Sequence, residues 1–154
     1  MGKKELVAFV GPMASGKSTI ISHLLGVPLE SVRLDGSRFI RESNSNEPRP
    51  HPQIGHNNMK SCTEMPEPFL EEELNIYLCD TPGLEPVRPE LKLLTDVFLQ
   101  KAQKIRAIVV VITMGCLCEN RGAQFKDLIK DICKTFDLQQ IRSRLIFMYN
   151  KIDE

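Results

Sequence analysis

Gly11-Pro12-Met13-Ala14-Ser15-Gly16-Lys17-Ser18, followed by Thr19, is the stretch on which the fold turns. Just before it, Leu6-Val7-Ala8-Phe9-Val10 is short, apolar and rich in branched residues, the composition of a buried strand. Just after it, Lys17 to Leu25 sets Ile20, Ile21, Leu24 and Leu25 on one helical face, and Gly26 closes the segment. A loop bounded by glycines and ending in Lys-Ser, placed between a strand and a helix, is a cradle for an anion. Its backbone N–H groups converge, Gly11 and Gly16 permit tight bends and close approach, and the helix turns its positive end to the same point. The pattern G-x-x-x-x-G-K-[ST] is filled at every fixed position. The expected occupant is a β-phosphate, with Lys17 bridging β- and γ-phosphates and the Ser18 hydroxyl offered to Mg²⁺.

The rest of the chain repeats the strand-then-helix rhythm. Leu74 to Cys79 reads as a strand, and Glu90 to Ala102 as a helix carrying Leu91, Leu94, Val97 and Phe98. Arg106 to Thr113 is so continuously Ile and Val that it suits a strand covered on both faces. Phe125, Leu128, Ile129, Ile132 and Phe136 mark another helix, and Leu145 to Tyr149 a last strand. This order predicts an α/β domain with a mainly parallel sheet. The segment from about 30 to 65 is different: rich in Ser, Asn, Pro and His, it reads as a flexible loop with a short strand near Ser31 to Leu34.

Composition bounds the function. A chain of 154 residues with a hydrophobic share of 42% is enough for one domain with a core. Twenty Lys and Arg against twenty Asp and Glu give no net charge, so no general basic field draws nucleic acid, and any anion must be held locally. The longest apolar run, Ala107 to Ile112, is far short of the ~20 residues that span a bilayer, so no transmembrane segment is expected. No signal-peptide pattern opens the chain, which places it by default in the cytoplasm. Five cysteines without metal-ligand spacing read as free thiols, with Cys79 and Cys133 in apolar patterns that bury them.

Two further motifs lie at the ends of expected strands. Ile76-Tyr77-Leu78-Cys79-Asp80 runs into Thr81-Pro82-Gly83. A carboxylate there can hold the shell of a Mg²⁺ ion, and the Gly83 N–H can meet a γ-phosphate. Asn150-Lys151-Ile152-Asp153 follows the last strand. The Asp153 carboxylate can accept two hydrogen bonds from a guanine N1–H and amino group, which adenine lacks, while Lys151 lies along the base.

With GPMASGKS, DTPG and NKID in this order, the chain resembles the P-loop GTPases from Leu6 to Asp153, with DTPGL and the form of the phosphate loop closest to the septin, plastid-import-receptor and immune-associated GTPase group. The resemblance implies a three-layer P-loop NTPase fold over residues 1–154 as a single G-domain. Nucleotide contacts would come from Gly11, Pro12, Met13, Ala14, Ser15, Gly16, Lys17, Ser18, Thr19, Asp80, Gly83, Asn150, Lys151 and Asp153. The family also carries a threonine ahead of the second motif's strand, whose hydroxyl and carbonyl sense Mg²⁺ and γ-phosphate. Among Ser61-Cys62-Thr63-Glu64 the match is Thr63, which puts switch I in the 30–65 loop. Lys17, Thr63 and Gly83 would serve catalysis, and Ser18, Thr63 and Asp80 the metal.

Two features depart from the pattern. Leu84 stands where Ras-like enzymes carry a water-orienting glutamine, so slow intrinsic hydrolysis is expected. The family pattern continues beyond the guanine motif with another strand and helix, so the G-domain is expected to be incomplete, with those two elements missing. The leading function is a Mg²⁺-dependent switch that hydrolyses GTP to GDP and phosphate. A second reading, favoured by Leu84, is a GTP-binding interaction module with negligible turnover, and a third is a small-molecule kinase, against which the guanine motif stands. A nucleotide-dependent homodimer or an activating protein could supply an arginine in trans, with Arg41, Arg49 and Arg88 as candidates. His23 reads as a packing or surface residue of the first helix, His51 and His56 lack Cys or His partners at metal-ligand spacing, and Glu71-Glu72-Glu73 reads as a solvated turn.

Overall fold

The computed structural model describes residues 4–34, 36–43, 50–55, 63–83, 89–101, 105–118, 122–136 and 138–151. In chain order the elements are β1 (Leu6–Val10), α1 (Lys17–Leu24), β2 (Leu29–Leu34), β3 (Ser37–Glu42), β4 (Glu67–Glu71), β5 (Ile76–Asp80), α2 (Pro89–Lys101), β6 (Ile105–Thr113), α3 (Met114–Cys118), α4 (Ala123–Thr135), α5 (Leu138–Ile141) and β7 (Leu145–Asn150). A five-stranded sheet runs β4-β5-β1-β6-β7, and β2 and β3 form a separate two-stranded ribbon. Within the large sheet β5, β1, β6 and β7 are parallel, and only the edge strand β4 runs antiparallel, against β5.

Strand alternation builds two cores, one on each face of the sheet. Ala8 and Val10 of β1 and Ile108, Val110 and Ile112 of β6 point to one face, where Leu99 of α2 and Leu128 and Ile132 of α4 cover them. Phe9 of β1, Ile76 and Leu78 of β5, and Val109 and Val111 of β6 point to the other face, against Ile21 of α1. Consecutive residues of β6 are therefore both buried, which is why its sequence is an unbroken Ile/Val run. The architecture is a three-layer α/β fold with a mainly parallel sheet.

The chain steps from β1 to β5 on one side and then returns across β1 to β6 on the other. Right-handed crossovers in opposite directions put α1 and α2 on opposite faces. A crevice opens at such a reversal, outside the carboxyl ends of the strands. Register carries the right residues to that rim: Phe9 pairs with Asp80, Val10 with Val110, and Thr113 with Asn150.

The segment read as a loop over 30–65 is in part regular structure. β2 and β3 pair antiparallel from Leu29 opposite Glu42 to Leu34 opposite Ser37, and the expected short strand at Ser31 to Leu34 falls inside β2. Gly36 lies in the turn between them at φ 82°. Further along, Pro52 is fully buried and its carbonyl accepts a 3.4 Å bond from Ser22 Oγ of α1. His51 Nε2 lies 2.7 Å from Glu42 at the end of β3. Cys79 is fully buried, as its pattern predicts, whereas Cys133 is only partly buried, at the flank of α4. Glu72 and Glu73 are exposed in the β4–β5 turn, where Glu71 accepts from the backbone N–H of Glu73 at 3.2 Å and of Leu74 at 2.6 Å.

Candidate functional site

The loop from Gly11 to Gly16 joins the end of β1 to the start of α1 at the sheet rim. Gly16 precedes the helix at φ 92°, a left-handed conformation that strains any residue with a side chain, and it supplies no side-chain cap. The opening turn of α1 thus points its N–H groups toward the loop, not toward a capping hydroxyl. Ala14 also stands at positive φ, 57°, and Ser15 N donates to Pro12 O at 3.4 Å, so the loop curls into a concave turn. Lys17 is 6% exposed, and its ammonium donates to the carbonyls of Gly11 at 3.2 Å and Pro12 at 2.8 Å. Those carbonyls hold a buried positive charge directly over the loop.

β5 delivers Asp80 beside this loop. The carboxylate is fully buried, and its Oδ2 accepts from Ser18 Oγ at 2.6 Å and from Thr63 Oγ1 at 2.9 Å. Its other oxygen, Oδ1, is buried with no hydrogen-bond partner among the described residues. Burial raises the Asp80 pKa above the usual carboxylate range, against the lowering effects of the Ser18 bond, the Lys17 charge, the Thr63 bond and the Thr81 N–H. Burial, followed by the charges of Asp80 and Glu67, pushes the neighbouring Cys79 thiol up to about 12, which keeps it protonated and unreactive.

Thr63 reaches Asp80 through the antiparallel edge. Glu67 opens β4 opposite Asp80, so the chain just ahead of β4 passes the carboxyl end of β5. Thr81 fixes the turn that follows: its buried hydroxyl donates to Phe9 O at 2.7 Å, tying β5 to β1 where the phosphate loop departs. Gly83 then lies against Met13 so closely that a Cβ there would stand 2.7 Å from Met13 N and 2.8 Å from its Cα. At the end of β7, Asn150 Nδ2 donates to Ser15 O at 2.9 Å, and its amide fills the space that a side chain at Gly16 would need. Lys151 turns the chain away with φ 55°.

Gly11 through Thr19, Thr63, Asp80, Gly83, Asn150 and Lys151 therefore come from four separate stretches of sequence to one rim. Asp153, Leu84, Arg49, Arg88 and His56 lie outside the described residues. Arg41 is paired with Glu30 across the β2–β3 ribbon at 2.7 Å, and His23 is exposed on α1. Sequence reasoning missed the clamp from Thr81 to Phe9. Its signal was a hydroxyl immediately after a strand's terminal carboxylate, which reads equally well as turn chemistry.

A phosphate-cradling loop after β1, a buried carboxylate at the end of its parallel neighbour β5, and an asparagine bound back to the loop define a P-loop GTP-binding domain. The chain belongs to the family described as 50S ribosome-binding GTPase, which matches residues 6–151. No curated protein matches it. Among solved structures it is similar to a chain of the signal recognition particle receptor SRb-GTP/SRX complex from Chaetomium thermophilum. The two are 16% identical over 98% of this chain and 70% of that one, with a TM-score of 0.56, a likeness that shows the fold. Among the described residues no helix is long and apolar enough to cross a membrane.

Proposed function

We propose that this chain is a Mg²⁺-dependent switch that binds GTP at the rim and hydrolyses it to GDP and phosphate. The observation that carries this reading is the convergence of two hydroxyls, Ser18 and Thr63, on one oxygen of the buried Asp80 beside the phosphate loop. A hard divalent cation suits this donor set. Among the described residues, Oδ1 of Asp80 has no hydrogen-bond partner and no group of three or more His, Cys, Asp and Glu could cage a metal. Mg²⁺ keeps few protein ligands and shares its shell with phosphate oxygens and water, as an arrangement of one carboxylate and two hydroxyls requires. Once bound, such an ion supplies neutralisation of charge on the β- and γ-phosphates.

The remaining roles belong to the chain itself. Backbone N–H groups from Gly11 to Thr19 hold the phosphates, and Lys17 turns from the Gly11 and Pro12 carbonyls toward the β- and γ-oxygens. Thr63 and Gly83 meet the γ-phosphate from two segments that relax when it leaves, which is the switch. Asn150 couples the base end of the site to the loop, with Lys151 along the base and Asp153 selecting guanine. Intrinsic turnover is slow because Leu84 orients no water, and a second protein meeting the nucleotide face quickens it. Free thiols at Cys79, Cys116, Cys118 and Cys133 suit a reducing, cytoplasmic setting.

Leu84 also supports a second reading, a GTP-gated interaction module with negligible turnover. Multiple-turnover phosphate release with saturating Mg·GTP, repeated for Asp80→Asn, separates the two. Mg²⁺-dependent phosphate release that Asp80→Asn abolishes supports the switch. Tight GTP binding without release at any protein concentration supports the module.

A further inference from the structure

α2 is apolar on two opposite sides. Thr95 and Leu99 face inward, 1% and 3% exposed, while Leu93, Leu94 and Val97 are 64%, 48% and 38% exposed. At ~100° of rotation per residue these three form one outer stripe with Glu90, which is exposed before them, and with the helical position of Lys101 after them. On one side α2 is flanked by α4, to which it is bound through Gln100 Nε2 on Thr135 O at 3.5 Å and Thr135 Oγ1 on Asp96 Oδ1 at 2.7 Å. Neither bond touches the stripe.

The order of residues along the stripe is self-complementary. Set antiparallel about the point midway between Leu94 and Val97, two copies of α2 place Leu94 of one against Val97 of the other. The same register brings Glu90 of each level with Lys101 of the other, acid against base at both ends of an apolar centre. A two-fold interface demands this reciprocity, in which one patch serves both partners. A stripe evolved for a lipid surface would gain nothing from an acid at its leading end.

We propose that a second copy of this chain is the occupant of the outer face of α2, in an antiparallel α2–α2 contact centred on Leu94 and Val97. The contact uses none of the residues placed at the nucleotide rim. One helix face falls below the ~1,200 Å² of a standard interface, so the dimer is weak and concentration-dependent.

Sedimentation velocity on the whole chain from about 1 µM to about 500 µM tests this. The expected result is a monomer at the low end and a dimer at the high end. Leu94→Glu, at a half-exposed position, should remain monomeric throughout while its circular dichroism matches the parent. Glu90→Lys and Lys101→Glu should each weaken dimerisation roughly tenfold, because each sets like charges opposite at both ends. The double variant Glu90→Lys/Lys101→Glu should recover it. A parent chain that stays monomeric, or a dimer that Leu94→Glu leaves intact, overturns the proposal. So does a double variant with native circular dichroism that fails to recover association, since only the antiparallel homodimer makes the swap neutral.

Discussion

Replacing Asn150 with alanine removes a side-chain bond between the last strand and the phosphate loop, Nδ2 on Ser15 O at 2.9 Å. Ser15 is itself fully buried, so its carbonyl would be left facing protein without a donor. An acceptor orphaned in this way costs ~1 to 3 kcal/mol. Because the bond is only part-buried, the lower half of that range applies, ~1 to 2 kcal/mol, a factor of about 5 to 30 in the folding equilibrium. With a urea dependence of ~2 kcal/mol per molar, the middle of the range for small domains, the midpoint should fall by roughly 0.5 to 1 M. Asn150→Asp should cost more than alanine, since a carboxylate would then face the Ser15 carbonyl in place of a donor. Urea unfolding by circular dichroism and calorimetric titration of GDP measure the two consequences, and affinity should drop together with stability because the loop that holds the phosphates has lost its anchor. If Asn150→Ala unfolds within ~0.3 kcal/mol of the parent and binds GDP equally well, the coupling of base end to phosphate loop is wrong.

Other substitutions test the site and its support. Lys17→Ala should weaken GDP and GTP together, because a counter-charge is lost, whereas Ser18→Asn should instead make affinity less dependent on Mg²⁺; titrating each nucleotide with and without the ion distinguishes them. Gly83→Ala forces a Cβ to within 2.9 Å of Met13 atoms, an overpacking worth ~1 to 3 kcal/mol, and should lower affinity for GTP more than for GDP. Ile21→Ala, at a side chain of α1 with no exposure, should destabilise the fold by ~2 to 5 kcal/mol in urea melts.

The parts of the fold legible in the sequence are those whose signal is local. The run from Arg106 to Thr113 declares a doubly covered strand by itself, and Gly11 to Ser18 declares its loop because glycine, lysine and serine are needed at fixed spacing. β4 escaped notice because Pro68 interrupts the pattern, although a proline without an N–H is tolerated at the edge position that β4 occupies. The β2–β3 ribbon is hidden by the polar character of its surroundings, although the dipeptide Asp35-Gly36 in the sequence is a hairpin signal. α3 and α5 are too short to show a helical period. Thr63 illustrates the deeper limit. Its bond to Asp80 depends on β4 pairing with β5, a non-local event that no spacing around Thr63 encodes, and only the family resemblance marked it.

The central claim is that this rim holds a guanine nucleotide, with Asp153 as the residue that reads the base. Displacement of fluorescent GDP by GTP and by ATP, in Mg²⁺ buffer, tests it directly. An adenine leaves the Asp153 carboxylate unpaired, so ATP should need on the order of 100-fold more ligand than GTP to displace the probe. Asp153→Asn should shift preference toward xanthine nucleotides, because the donor and acceptor at that edge exchange places. Equal displacement by GTP and ATP would contradict the account.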